Sequence, residues 1–217
     1  MGVEINGAVE GPIDRAVLRR LIEHVGGRPG VIHLGNGKSG VLGKLGGYNS
    51  AAYYSPWVVL VDLDDDFPCA PAARAAWLPR PAPHMCLRIA VREVEAWLLG
   101  DRLQMARFLG VPNSRLPSVP DAVSDPKSLI VEIARTSRRA AVREALVPSP
   151  GSGRVVGREY TSWMIEFGAS REWWRPQEAR ATSPSLDRAI DCLDRLLAAV
   201  GTSDPPACRS PRPSLSS

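Results

Sequence analysis

The apolar positions along the chain change period several times, and each change marks an element. Residues 3–10 alternate loosely, as a strand does, and end at Glu10-Gly11-Pro12. Ala16, Val17, Leu21 and Val25 then fall on one face of a helix. Pro12 suits its first turn, Asp14 its positive end, and Gly26-Gly27 stops it. Residues 31–34 predict a short strand, followed by a glycine-rich connection over 35–47 and a small helix or extended piece at 49–54. The continuous apolar run Trp57-Val58-Val59-Leu60-Val61 predicts a strand buried on both faces. It breaks abruptly into Asp62-Leu63-Asp64-Asp65-Asp66. One short helix is expected near 72–77, inside a Pro/Ala-rich stretch, and a strand over 85–91 runs into a helix over 92–109. Helical periods between strands predict an α/β fold, a mostly parallel sheet flanked by helices.

Beyond Gly110 the texture changes. Residues 111–126 read as a Pro/Ser/Asn/Asp loop, a helix is expected over 126–146, and 148–153 make a second break. Leu186, Ile190, Leu193, Leu197 and Val200 form the stripe of a C-terminal helix over 185–200, behind a Ser183-Pro184-Ser185 start. From residue 201 to 217 the chain is Ser/Pro-rich without apolar period, and a disordered tail is expected. No internal repeat is present.

Composition narrows this only a little. A chain of 217 residues with 44% hydrophobic content can build a sizeable core in one decorated domain. No run approaches the roughly 18 apolar residues of a membrane span, so no membrane partner is expected. The N-terminus lacks a basic stretch followed by an apolar one, which with four scattered cysteines (Cys69, Cys86, Cys192, Cys208) predicts reduced thiols in a cytoplasm. The net charge of +4 permits nucleic-acid binding without arguing for it.

The acidic run after the buried strand carries the most chemistry. Carboxylates at the carboxyl end of such a strand sit where open α/β sheets place ligands, and Asp62 and Asp64 face one way while strand geometry continues. Hard cations such as Mg²⁺ prefer carboxylate and water oxygens, and a cation would relieve the repulsion among four carboxylates in five residues. The other reading is a solvated acidic turn, which the apolar strand just before it disfavours. Glu10 closes the first strand beside Gly11, where backbone can approach closely, or is an ordinary helix-start acid. Glu95 falls among Val91, Leu98 and Leu99 at helical spacing, where a carboxylate is costly unless metal-bound or paired, for example with Arg92 or Arg102. Glu93 looks less buried. Lys127 opens a helix against the dipole, as a functional group or as a surface lysine.

Other patterns carry less. Gly37-Lys38-Ser39 lacks the first glycine of a phosphate-binding P-loop, because Ile32 stands in its place. His24, His33 and His84 share no metal-ligand spacing, and no GxSxG elbow is present. Arg135, Arg138, Arg139 and Arg143 are expected along one helix, as a solvated face or a surface for backbone phosphates.

Three segments in order, Val9-Glu10-Gly11-Pro12-x-Asp14, Val58-Val59-Leu60-Val61-Asp62-Leu63-Asp64 and Glu95-Ala96-Trp97-Leu98-Leu99-Gly100-Asp101, resemble the TOPRIM fold. That fold is the metal-binding domain of topoisomerases, primases and overcoming-lysogenization-defect nucleases, marked by a glutamate after the first strand and an Asp-x-Asp after a later one. The third segment, with Asp125-Pro126-Lys127 and the Ser183-Pro184-Ser185-Leu186 helix, resembles more closely domain-of-unknown-function family 4276, a TOPRIM-like bacterial family often linked to anti-phage defence. The resemblance covers residues 3–200. It implies a TOPRIM-like core over 1–110, a helical extension over 111–200 packed on it, and Mg²⁺ or Mn²⁺ as cofactor. By the same resemblance Glu10, Asp62 and Asp64 hold the metal or act beside it, Glu95 completes the acidic site, and Lys127 stabilises charge on a phosphate. Asp64-Asp65-Asp66 offers a second Asp-x-Asp register, which adds Asp66 to the candidate ligands. The implied function is metal-dependent phosphodiester cleavage of nucleic acid, DNA or RNA, with any ATPase supplied by a partner protein encoded nearby. The alternative is a non-catalytic nucleic-acid-binding or partner-sensing subunit of a defence complex.

Overall fold

The computed structural model describes residues 2–201. Four strands, β1 (Glu4–Val9), β2 (Arg28–Leu34), β3 (Trp57–Asp62) and β4 (Met85–Ala90), form one sheet in the order β2-β1-β3-β4, and every pair is parallel. The α/β class with a parallel sheet flanked by helices is therefore observed, and β3 is buried from Trp57 to Val61 as its unbroken apolar run requires. Successive β3 residues serve opposite layers. Val58 and Leu60 pack with α1 (Pro12–His24) and the C-terminal half of the chain, Val59 and Val61 with α2 (Lys38–Leu42), α3 (Leu45–Ala51) and α4 (Ala70–Trp77). The glycine-rich connection thus holds two short helices. Gly40 makes the first possible, because a Cβ there would stand 1.8 Å from the Gly35 carbonyl oxygen.

The remaining helices are α5 (Val94–Gly100), α6 (Arg102–Leu109), α7 (Pro126–Arg135), α8 (Ala140–Leu146), α9 (Tyr160–Ala169), α10 (Pro176–Ala179) and α11 (Pro184–Gly201). Two long helices expected from the sequence are each divided. The helix expected over 92–109 begins only at Val94, because Arg92 takes the left-handed conformation (φ 66°) and Glu93 is extended, and it breaks at Asp101. Asp101 starts α6 by accepting the Gln104 N–H, and Arg175 grips its carboxylate from outside. The helix expected over 126–146 breaks after Thr136, where the Ser137 hydroxyl donates to the Leu109 carbonyl oxygen and accepts the Arg139 N–H. That break also disperses the arginine face. Arg135 pairs with Glu132, while Arg139 and Arg143 donate to the carbonyl oxygens of Phe108 and Ser137, so these side chains brace the fold instead of forming one stripe.

Cys86 of β4 and Cys192 of α11 form a disulfide, which corrects the expectation of reduced thiols at those two positions. The tail expected over 201–217 lies outside the described residues, apart from Gly201, which ends α11. Among the described residues no helix is long and apolar enough to cross a membrane.

Candidate functional site

The carboxyl ends of β1 and β3 lie side by side, with Val9 opposite Leu60, so Glu10 and Asp62 leave the sheet together. Glu10 Oε1 accepts the Asp62 N–H at 2.8 Å, and Asp62 Oδ1 accepts the Val94 N–H at 3.1 Å. Asp62 thereby ties the end of β3 to the start of α5. A cavity of about 220 Å³ opens there, bordered by Asp62 and by the first turns of four helices: Asp14 of α1, Glu95 of α5, Lys127 of α7 and Thr161 of α9. Each helix start brings the positive end of its dipole toward the same space, and the Val94 and Lys127 N–H groups there donate to Asp62 and Glu93.

Carboxylates answer that positive potential, and two of them are buried. Glu95 is 2% exposed, Asp14 7%. Tyr160 donates its hydroxyl to Glu95 Oε1 at 3.4 Å, and Lys127 Nζ lies 2.9 Å from Glu93 and 3.8 Å from Glu95. Asp14 Oδ2 accepts the Gly11 N–H, while its Oδ1 is buried without a hydrogen-bond partner. Burial raises the pKa of Glu95 to about 7, with Lys127 opposing and Glu93 adding to the rise. Burial likewise raises Asp14 to about 6. Asp62 is pushed well above the usual carboxylate range by burial and by the nearby charges of Asp14, Glu95, Glu10 and Glu93, and Glu10 is raised by its own burial. Burial works against the charge of Lys127, but Glu95, Glu93 and Asp62 outweigh it and hold the ammonium charged.

The site residues expected from the sequence therefore separate. Glu10, Asp62, Glu95 and Lys127 come together. Asp64 and Asp66 do not join them in the cavity, because Asp64 turns left-handed (φ 47°) directly after β3 and both carboxylates close on Lys38 at 2.6 Å. Asp64 stays near enough to Glu10 to raise its pKa. Lys38, from the incomplete P-loop pattern, is thus the partner of the acidic loop. Three contributors were missed. Asp14 has an ordinary helix-start explanation in sequence, Glu93 reads as the less buried of two glutamates, and Tyr160 lies in a stretch without a clear apolar period. The only signal for Asp14 was its place in the Glu10-Gly11-Pro12-x-Asp14 segment.

The donor set consists of oxygen atoms alone: buried, crowded, and including one unpartnered oxygen. That chemistry fits a hard divalent cation. As placed, no group of three or more His, Cys, Asp or Glu side chains among the described residues surrounds a single point as metal ligands would. No family model, curated protein or solved structure matches the chain.

Proposed function

We propose that the chain is a divalent-metal-dependent phosphodiesterase acting on nucleic acid, with Asp62, Asp14, Glu10 and Glu95 as the oxygen donors for Mg²⁺ or Mn²⁺. The observation that carries this reading is the cavity itself, where buried carboxylates and four helix N-termini face the same space. Carboxylates suit the cation, and helix N-termini suit the phosphate that accompanies it. A bound divalent ion would polarise a phosphoryl oxygen and lower the pKa of a water molecule. Lys127, held charged beside Glu95, is placed to meet negative charge gathering on the phosphate. Burial raises the pKa of Glu95 to about 7 in the absence of a cation, and a bound divalent ion would favour its carboxylate form. The resemblance of the Glu10, Asp62 and Glu95 segments to TOPRIM nucleases supports the same assignment.

A second reading, a non-catalytic subunit that binds nucleic acid or senses a partner, is favoured by one contact: the Lys127 ammonium lies 2.9 Å from Glu93 and offsets part of the carboxylate charge itself. Calorimetric titration of Mn²⁺ and Mg²⁺ into wild type and Asp62→Ala, with cleavage of DNA and RNA followed in parallel, separates the two. Metal binding and cleavage lost together in the variant support the phosphodiesterase. Metal binding without cleavage of either nucleic acid favours the subunit, and no binding at millimolar metal overturns the metal site.

A further inference from the structure

β4 is an outermost strand of the sheet, with α4 and α11 packed against it. At this edge Leu87, Arg88 and Ile89 of the strand, Pro71 and Arg74 of α4 and Arg188 of α11 border a pocket of about 160 Å³. Arg88 follows Cys86 by two residues, so both side chains leave the same face of β4. Arg188 and Arg195 stand about one helical turn to either side of Cys192. The disulfide between Cys86 and Cys192 therefore sets the helix face carrying Arg188 and Arg195 against the strand face carrying Arg88.

No salt bridge among the described residues balances this gathering of charge. Among the described residues the side chains of Arg74, Arg88, Arg188 and Arg195 make no salt bridge and no hydrogen bond, and the Nε of Arg88 is buried without a partner. Burial, followed by the charges of Arg74, Arg188 and Arg195, lowers the pKa of Arg88 to about 10. The opposing carboxylate, Asp191, is already held by Arg180 at 2.6 Å. A half-buried guanidinium with an unmet donor and like charges around it is unfavourable in the ligand-free protein. A tetrahedral oxyanion against these guanidinium groups would offset the repulsion, and the planar fork of arginine matches phosphoryl oxygens.

The space suits the same ligand. The pocket holds little more than one phosphoryl group. A larger hollow of about 490 Å³ shares Pro71 and Arg188 with it and continues past Phe67 to Arg92. Two acids of that hollow are already engaged, Asp65 by Arg92 and Asp121 by Ser183 and the Ser185 N–H. We propose that the β4 edge is a binding site for a phosphoryl group, gripped by Arg74, Arg88 and Arg188, with the rest of the phosphorylated ligand lying in the adjoining hollow. None of these arginines borders the carboxylate cavity, so the site stands apart from the metal reading.

Inorganic phosphate is the first probe, used at constant ionic strength and without divalent metal. A 5′-mononucleotide and a short oligonucleotide without terminal phosphates then distinguish a phosphomonoester from a backbone phosphodiester as the source. Phosphate should raise the unfolding midpoint of wild type beyond the effect of chloride. Arg88→Met should weaken phosphate binding about tenfold or more, the loss expected for a charge-assisted hydrogen bond. Its phosphate-free midpoint should equal or exceed that of wild type, because crowding of like charges is relieved, whereas a merely structural arginine would lower it. Arg188→Gln, on the exposed side of α11, reads out the same binding if Arg88→Met does not fold. Equal midpoints in phosphate and chloride overturn the proposal, and so does undiminished phosphate binding in these variants. Asp62→Ala should bind phosphate as wild type does, so failure of the metal reading and failure of this one remain distinguishable.

Discussion

Glu95 shows how much one buried carboxylate decides. Its ordinary pKa of 4.5 is raised to about 7 and that of Asp14 from 3.8 to about 6, both chiefly by burial. Between the ordinary and the raised values the native protein holds protons that the unfolded chain has released. Stability is therefore full below about pH 4 for these groups and is lost as pH rises through their native values. Metal-free protein should melt at a higher temperature near pH 5 than near pH 7.5. Glu95→Gln should remove much of that slope, gaining on the order of 2 kcal/mol at the higher pH; an unchanged slope would show that Glu95 is not the group responsible. Lys127→Met has the opposite signature. It leaves Glu93 and Glu95 without their cation, and because the lysine side chain is 36% exposed the loss should be only about 1 kcal/mol near pH 7.5 and smaller near pH 5. Denaturant melts at the two pH values check both signs. Glu95 was legible in sequence because a carboxylate inside an apolar stripe demands a partner. The fate of Asp64 and Asp66 was not, because the left-handed turn after β3 and the reach of Lys38 across 26 and 28 positions leave no local pattern.

At the scale of elements, the strands followed the apolar pattern, while the two short helices of the glycine-rich connection and the helix breaks did not. Gly100-Asp101 interrupts a run whose apolar stripe continues from Val94 to Leu109, and hydrophobic period is blind to a cap inside it. Three contacts make the break. Asp101 accepts the Gln104 N–H at 3.3 Å, the Arg175 N–H at 3.1 Å, and the Arg175 guanidinium at 2.7 and 2.8 Å. Gly100 lets α10 approach, since a Cβ there would stand 2.8 Å from the Ala179 carbonyl oxygen. Asp101→Ala removes a cap and the ion pair of Arg175, whose side chain is 36% exposed and can turn to water, and should cost about 2 kcal/mol. Asp101→Asn keeps the cap acceptor and should cost less. Urea unfolding ranks the two, and equal loss would assign the whole effect to the ion pair. α9 is hidden in the sequence for a related reason. Tyr160, Trp163, Met164, Ile165 and Phe167 leave little polar face, so no helical period stands out.

Across the whole molecule the expected boundary at residue 110 falls inside a continuous hydrophobic core, which runs from Ile5 to Leu196. The Trp97 indole donates to Ser185 at 2.6 Å, and the Trp174 indole donates to the Trp97 carbonyl oxygen at 3.3 Å. Val17 and Leu98 border Gly168, and Phe108 packs on the rings of Trp163, Phe167 and Trp173. Removing residues 111–200 would uncover Val17, Trp97, Leu98 and Phe108 together. At about 2 kcal/mol for each apolar side chain left in water, these four alone rival the total stability of a domain, about 5–15 kcal/mol. The candidate site is divided in the same way: Glu10, Asp14, Asp62, Glu93 and Glu95 come from the first half, Lys127, Tyr160 and Thr161 from the second. A fragment of residues 1–110 should therefore show no cooperative urea transition by circular dichroism and no saturable Mn²⁺ binding by calorimetry. A sharp transition would make the second half an attachment to a self-sufficient core. In that case Lys127 and Tyr160 would be additions to an acidic site able to assemble without them, and metal binding by the fragment would locate its essential donors among Glu10, Asp14, Asp62, Glu93 and Glu95.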